Sequence, residues 1–122
     1  MSNERNLSIG VELTDFTARE QQAVALKALR GVILGTPVDK GRARGNWQMS
    51  INAPKTDQLN VFDKSGGEAI NSGVKVILSA SEINLPDFWI SNNLPYIVPL
   101  NNGSSKQAPK FFVERAIEIA AK

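Results

Sequence analysis

The sequence predicts an α+β fold, because helical and strand patterns occur together in one short chain. Residues 17–35 carry apolar side chains three and four positions apart, and the residues after Pro109 repeat that helical pattern. Between them, residues 47–52 and 87–91 alternate large apolar and other side chains, as half-buried strands do. At 122 residues we expect a single domain with a modest core, spanning residues 1–122.

The composition argues against most enzyme classes. The chain has no Cys and no His, so disulfides, thiolate zinc sites, cysteine nucleophiles and histidine bases are excluded. The acids are scattered and form no Asp-rich loop, which leaves a carboxylate-held metal only a remote alternative. We therefore expect no enzymatic activity, no cofactor and no metal. The net charge of +2 means that any basic surface must be local.

The beginning of the chain is polar and lacks the apolar core of a signal peptide, and no apolar run is long enough to span a membrane. We expect residues 1–8 to be mobile and the protein to be made in the cytoplasm. Ile9, Val11 and Leu13 then alternate with Gly10 and Glu12, which predicts a short edge strand or an extended arm.

The first helix is the longest predicted element. Thr14 and Thr17 are both credible N-caps, and Thr17 to Glu20 has the spacing of a capping box. Gly35 fits the C-terminal end of the helix, with Pro37 just beyond it. The predicted core-facing stripe consists of Phe16, Ala23, Leu26, Leu29, Val32 and Ile33.

A structured turn with a basic cluster follows the helix. Gly41 and Gly45 permit backbone bends, and Trp47 opens the alternating strand pattern that predicts its burial. The cations of this turn are Lys40, Arg42 and Arg44. They suit contact with a phosphate backbone, so one alternative is a small nucleic-acid-binding module that uses the 40–44 turn. The other interpretation is a solvated loop.

The middle of the chain has a long polar loop at 54–67, and a loop of that length in so small a domain is usually functional or mobile. Residues 68–81 fit either a strand or a helix, and we favour a helix with Ser65 as its cap. After the strand at 87–91, Pro95 and Pro99 predict a turn or an irregular edge. Pro109 fits the first position of the last helix, whose predicted buried face is Phe112, Val113, Ala116, Ile119 and Ala120.

Two blocks resemble one family of proteins. Residues 36–47 read TPVDKGRARGNW, which is similar to the TPVDTGRxRGNW segment of the neck and tail-completion proteins of tailed bacteriophages. Residues 92–96 read NNLPY and residues 105–109 read SKQAP, which resembles the family's second block, NNLPYA…G.S.QAP. Order and spacing agree. Lys40 replaces a usual Thr, and residues 100–103 depart from a usual Leu-Glu pair, which affects a possible subunit contact.

The resemblance implies a small α+β domain with a long first helix, a small antiparallel or mixed sheet, a middle helix and a C-terminal helix. It implies a structural virion protein that forms a six-fold ring at the neck, between the head connector or stopper and the tail terminator or tail tube. Packaged DNA would pass through this ring without specific binding, and no membrane is involved. A closed ring needs two different surfaces on each subunit.

The resemblance also assigns candidate residues. Lys40, Arg42 and Arg44 are candidates for contact with the DNA channel or a neighbouring subunit. The long loop and the proline-rich 92–103 segment supply the candidate subunit interface: Leu59, Val61, Phe62, Asn93, Tyr96 and Asn101.

Overall fold

The computed structural model describes residues 8–13, 18–38, 40–80, 87–104 and 110–121. Within these ranges the elements are β1 (Ile9–Leu13), α1 (Ala18–Gly35), α2 (Arg42–Gly45), β2 (Gln48–Ile51), α3 (Gly67–Ser79), β3 (Phe88–Asn92), α4 (Ile97–Asn101) and α5 (Phe112–Ala120). This confirms the α+β class. The predicted caps Thr14 and Thr17, the stripe residue Phe16 and the predicted helix start at Pro109 lie outside the described residues.

The three strands form one antiparallel sheet in the order β1–β3–β2. The predicted edge strand at residues 9–13 is confirmed, because β1 pairs with β3 alone. Phe88 and Ile90 of the central strand are fully buried on one face, whereas Trp89 on the other face is half-buried. The large apolar residues of β3 therefore face the core on one side of the sheet, although the small Ser91 on the other face is buried too.

Helix α1 is the main support of the core, but its buried face differs from the predicted stripe. Ala23 is exposed and Leu26 is 39 % exposed, so both were wrongly assigned to the core. The helix instead buries a rotated face that consists of Gln21, Val24, Ala25, Ala28, Leu29, Val32 and Ile33. Small alanines let the neighbouring elements approach this face closely, and Leu29, Val32 and Ile33 of the predicted stripe are buried as expected.

Residues 67–79 are helical, which confirms the choice made for the ambiguous middle segment. The predicted cap, Ser65, is wrong, because Gly66 holds the N-cap position in a left-handed conformation. Ser65 Oγ lies one residue earlier and accepts a hydrogen bond from the Gly67 amide at 3.1 Å. The main acceptor is a residue that the prediction missed: the buried carboxylate of Asp63 accepts from the amides of Gly66 and Ala69, both at 3.1 Å. A carboxylate at this position also complements the positive end of the helix dipole.

The segment after β3 is more regular than its prolines suggested. It turns and then forms the short helix α4, with Pro99 in its first turn, where a missing N–H costs nothing. In α5, Phe112, Val113 and Ala120 are buried and Ala116 is half-buried, as predicted. The predicted burial of Ile119 is wrong, since that side chain is 69 % exposed. The short α5 packs on α1 with one face, and Ile119 lies at the solvent edge of that contact.

Candidate functional site

The turn at residues 36–47 is anchored by Trp47, which is 2 % exposed, as predicted. Its indole Nε1 donates a hydrogen bond to Thr36 Oγ1 at 2.7 Å. Thr36 Oγ1 in turn donates to the Val32 carbonyl at 2.7 Å. This relay ties the start of β2 to the last turn of α1, and it satisfies both the buried indole and an unpaired helix carbonyl.

Gly41 marks the place where the turn meets the segment between β2 and α3, residues 52–66, which we call the strap. Gly41 has φ +86°, and a Cβ there would lie 2.5 Å from the Lys64 backbone nitrogen. The Gly41 carbonyl accepts hydrogen bonds from Gly45 at 3.0 Å and Asp63 at 2.9 Å. The predicted bend at Gly41 is therefore confirmed.

Gly45 was predicted as a second bend, and this is wrong because it is the last residue of helix α2. Glycine is required at this position because there is no room for a side chain. A Cβ at Gly45 would lie 2.8 Å from the Val61 carbonyl oxygen. The strap thus crosses the turn at two places where the backbone has no side chain.

Arg44 fastens three parts of the chain together. Its Nε donates to the Thr36 carbonyl at 3.0 Å, Nη1 to the Lys64 carbonyl at 2.8 Å and Nη2 to the Leu34 carbonyl at 3.0 Å. Two of these carbonyls lie at the C-terminal end of α1, where the helix dipole favours a cation. The guanidinium is therefore committed to the fold of its own subunit.

The other two cations of the turn have different surroundings. Lys40 is exposed, and Arg42 is half-buried. Arg42 Nε is buried and has no hydrogen-bond partner within the described part of the chain. Of the three candidate channel contacts, Lys40 is thus the exposed one, whereas Arg44 serves an internal role.

Asn46 is fully buried, and its side-chain amide holds the strap in place. Its Nδ2 donates to the carbonyls of Arg42 and Leu59, each at 2.9 Å. Its Oδ1 accepts from the Leu59 amide at 2.6 Å. The side-chain amide thus pairs with both backbone groups of Leu59, as a neighbouring strand would.

The first family-like block, residues 36–47, meets the described part of the second block, residues 92–96. Asn92 is fully buried, and its Nδ2 donates to the Ala43 carbonyl at 2.9 Å, across 49 residues of sequence. Its Oδ1 accepts from the Leu94 amide at 3.1 Å. Asn93 reaches the strap instead, and its Nδ2 donates to the carbonyls of Lys55 at 2.8 Å and Asp57 at 3.0 Å. The first block and residues 92–96 therefore form one hydrogen-bonded unit with the strap.

The six candidate interface residues divide into three groups. Phe62 is 54 % exposed and Tyr96 is 40 % exposed, so both aromatic rings are open to a partner. Asn93 and Asn101 have internal partners, since Asn101 is 5 % exposed and its side chain bonds Glu114 Oε1 at 2.8 Å and the Val113 amide at 3.0 Å. Leu59 and Val61 are half-buried and line a cavity.

This cavity has a volume of about 290 Å³ and lies between α2, β2, the strap and α3. Its apolar lining includes Trp47, Met49 and Val76, and Glu68 and Gln48 contribute polar groups. Among the described residues, no cluster of three or more potential metal ligands occurs. The described lining therefore offers apolar and hydrogen-bonding surface.

Comparison with known proteins found no matching family model, no matching curated protein and no matching solved structure. Of the helices in the described ranges, none is both long and apolar enough to cross a bilayer.

A pair of carboxyl groups at the sheet edge gives the protein a testable pH dependence. Desolvation, a hydrogen bond with Asp87 and the negative charge of Asp87 together raise the pKa of Glu12 above its ordinary value of 4.5. The folded state therefore holds this proton more tightly than the unfolded chain does. The resulting stabilisation is present at pH values below the unfolded pKa and is lost as the pH rises through the folded pKa.

We expect Glu12→Gln to keep the hydrogen bond and remove the repulsion, which raises the melting temperature at about pH 7 more than at about pH 4. Melting curves over that range measure the effect. Glu118→Gln, which changes an exposed glutamate of α5, is the matched control. A Glu12→Gln difference that does not shrink on acidification would contradict the coupling with Asp87.

Proposed function

We propose that this chain is a structural virion protein of a tailed bacteriophage, and that it forms a ring at the neck around the DNA channel. The ring would join the head connector or stopper to the tail terminator or tail tube. The observation that carries the proposal is the contact between the first family-like block and residues 92–96 of the second. Residues far apart in sequence meet through the hydrogen bond from Asn92 to the Ala43 carbonyl.

The distinctive residues of the first block have specific structural roles, which is compatible with the proposal. Trp47 bonds to the end of α1, Gly41 leaves room for the strap and Arg44 binds three carbonyls. Each of these residues is needed for the backbone arrangement in which it stands.

The surfaces also suit a ring. A head-to-tail interface needs two different patches on each subunit. Phe62 on the strap and Tyr96 before α4 expose aromatic surface, and aromatic residues are enriched in protein interfaces. Lys40 and Arg42 provide modest positive charge, which suits a channel wall past which DNA must slide.

Deletion of the gene from the phage genome tests the proposal. We expect DNA-filled heads and complete tails to accumulate unjoined, and a plasmid copy of the gene to restore joined particles, as seen by electron microscopy. Phe62→Glu should fail to restore them, because it places a charge in a subunit contact. Leu78→Glu, at a 73 % exposed position on α3, is the control and should restore them.

Normal infectious particles that lack this chain would contradict the proposal. So would a Phe62→Glu variant that joins heads and tails as well as the parent protein does. Melting curves of both purified variants confirm that the monomer still folds, so that a failure to join particles reports on the interface.

A further inference from the structure

Helices α1 and α5 lie antiparallel, and one side of their contact faces solvent. A Cβ at Gly31 would lie 3.1 Å from the Ala116 Cβ, and a Cβ at Gly35 would lie 3.6 Å from Phe112 Cδ1. These two approaches fix the relative register of the helices. On one side of the contact both helices turn toward the core, with Ala28, Val32, Val113 and Ala120 buried.

The opposite side of the contact forms a continuous exposed surface, which we call the cationic seam. With 100° of rotation per residue, the positions on this side are Lys27, Arg30 and Leu34 of α1 and Arg115 and Ile119 of α5, and Phe111 directly precedes α5. All six are exposed. The apolar members show large fractions of their surface: 46 % for Leu34, 47 % for Phe111 and 69 % for Ile119.

The α1 half of this surface carries charge of a single sign. Helix α1 has no carboxylate between residues 21 and 35, so Lys27 and Arg30 have no acidic neighbour on their own helix there. On α5, Arg115 lies on the seam side and Glu114 is rotated away from α1, while Glu118, one turn after Arg115, borders the seam on the side away from α1. Three cations are thus interspersed with three large apolar side chains.

Phe111 shows that the fold holds an aromatic ring at the edge of the seam. Its φ is +59°, a backbone conformation that bulky residues rarely adopt. The Phe111 amide donates to the Asn101 carbonyl at 2.6 Å, and the Phe111 carbonyl accepts from Arg115 at 3.0 Å. The Lys110 ammonium lies 5.8 Å from the ring centroid. Strain of this kind persists where the surrounding structure requires it, which often marks a binding surface.

We propose that the cationic seam binds an acidic amphipathic helix of another protein. The apolar face of such a helix would cover Leu34, Phe111 and Ile119, and its flanking carboxylates would pair with Arg30 and Arg115. Binding of a helix between two helices is a common mode of recognition, and opposite charge supplies its orientation. The inference does not rest on the neck assignment, because an isolated monomer presents the whole seam.

The chemistry of the seam favours a protein partner over the other polyanions. A DNA backbone would satisfy the cations but would bury none of the three apolar side chains. A helix that binds an anionic membrane inserts its apolar face into the lipid. The main apolar face of α1 is already buried against the rest of the domain.

The test uses a labelled synthetic peptide of about 18 residues, long enough to form a helix, with Leu at helical spacing and Glu on both flanks. We expect fluorescence anisotropy to show binding by the full chain at low salt. The double change Arg30→Glu and Arg115→Glu should weaken this binding by at least about tenfold. Leu34→Ser with Ile119→Ser should weaken it by a similar factor through the loss of apolar contact.

Lys75→Glu, which reverses an exposed charge on α3, is the matched control and should leave peptide binding within about twofold of the parent. The proposal is overturned if the peptide does not bind, or if a scrambled peptide of the same composition binds equally well. It is also overturned if the seam variants bind like the parent, or if duplex DNA or phosphatidylserine vesicles bind the seam more tightly than the peptide does.

Discussion

Replacing Gly41 with alanine should destabilise the protein by at least about 3 kcal/mol, which is the largest effect that we expect. The left-handed conformation at φ +86° costs a non-glycine residue about 1–2 kcal/mol. The added methyl group would also lie 2.5 Å from the Lys64 nitrogen and 2.6 Å from the Asp63 carbonyl carbon. These are backbone atoms, so no side-chain rotation can relieve the clash and the strap must move.

Urea unfolding followed by circular dichroism measures this loss, with the slope of the transition showing whether the strap is already detached in the native state. Gly10→Ala is the matched control, because a Cβ there meets Pro54 Cβ at an ordinary 3.5 Å. We expect Gly10→Ala to change the free energy of unfolding by less than about 0.5 kcal/mol. If the two variants have similar free energies of unfolding, the strap is not in close contact with Gly41.

The elements that could be predicted from the sequence are those specified by local physics. Pro37 cannot continue a helix, and α1 ends at Gly35, two residues before it. The alternation around Phe88 and Ile90 is a property of any half-buried strand, and these residues do form the centre of the sheet. Trp47 was predicted to be buried on the same ground and is buried.

The errors arose where packing between distant segments decides the outcome. Leu26 and Ile119 fit helical stripes, yet each lies just outside the face that its neighbours cover. Helical periodicity allows two overlapping faces, and only the partner surface selects one of them. The close approach of α5 at Gly31 is a property of the pair of helices, so no single stretch of sequence contains it.

The candidate site shows the same limit. Three cations in five residues look alike in sequence, but Arg44 binds three backbone carbonyls that come from two other segments. Asp63 and Asn46 were missed as structural residues because their partners are defined only after the strap has folded back. The sequence contained one indirect signal for these two residues. A polar loop this long in a small domain needs internal hydrogen bonds to remain ordered.

Asn46→Ala should cost about 2–3 kcal/mol, the second largest effect we expect. The Asn46 side chain is fully buried and makes three hydrogen bonds, of which two involve the amide and the carbonyl of Leu59. Alanine would leave those backbone groups without partners, and each buried unpaired group costs about 1–3 kcal/mol. Partial access of water to the Arg42 carbonyl keeps the expected total below the sum of three full penalties.

Hydrogen exchange at the Leu59 amide separates a local loosening of the strap from a general loss of stability. We expect this amide to exchange faster in Asn46→Ala by a larger factor than the amides of the central strand. Gln48→Ala is the matched control, because that side-chain amide also donates to the strap, at the Asp57 carbonyl, but at an exposed position. It should cost less than about 1 kcal/mol. If both variants lose the same stability, the strap is held by packing around Leu59 and Val61, and the buried amide of Asn46 is not its clamp.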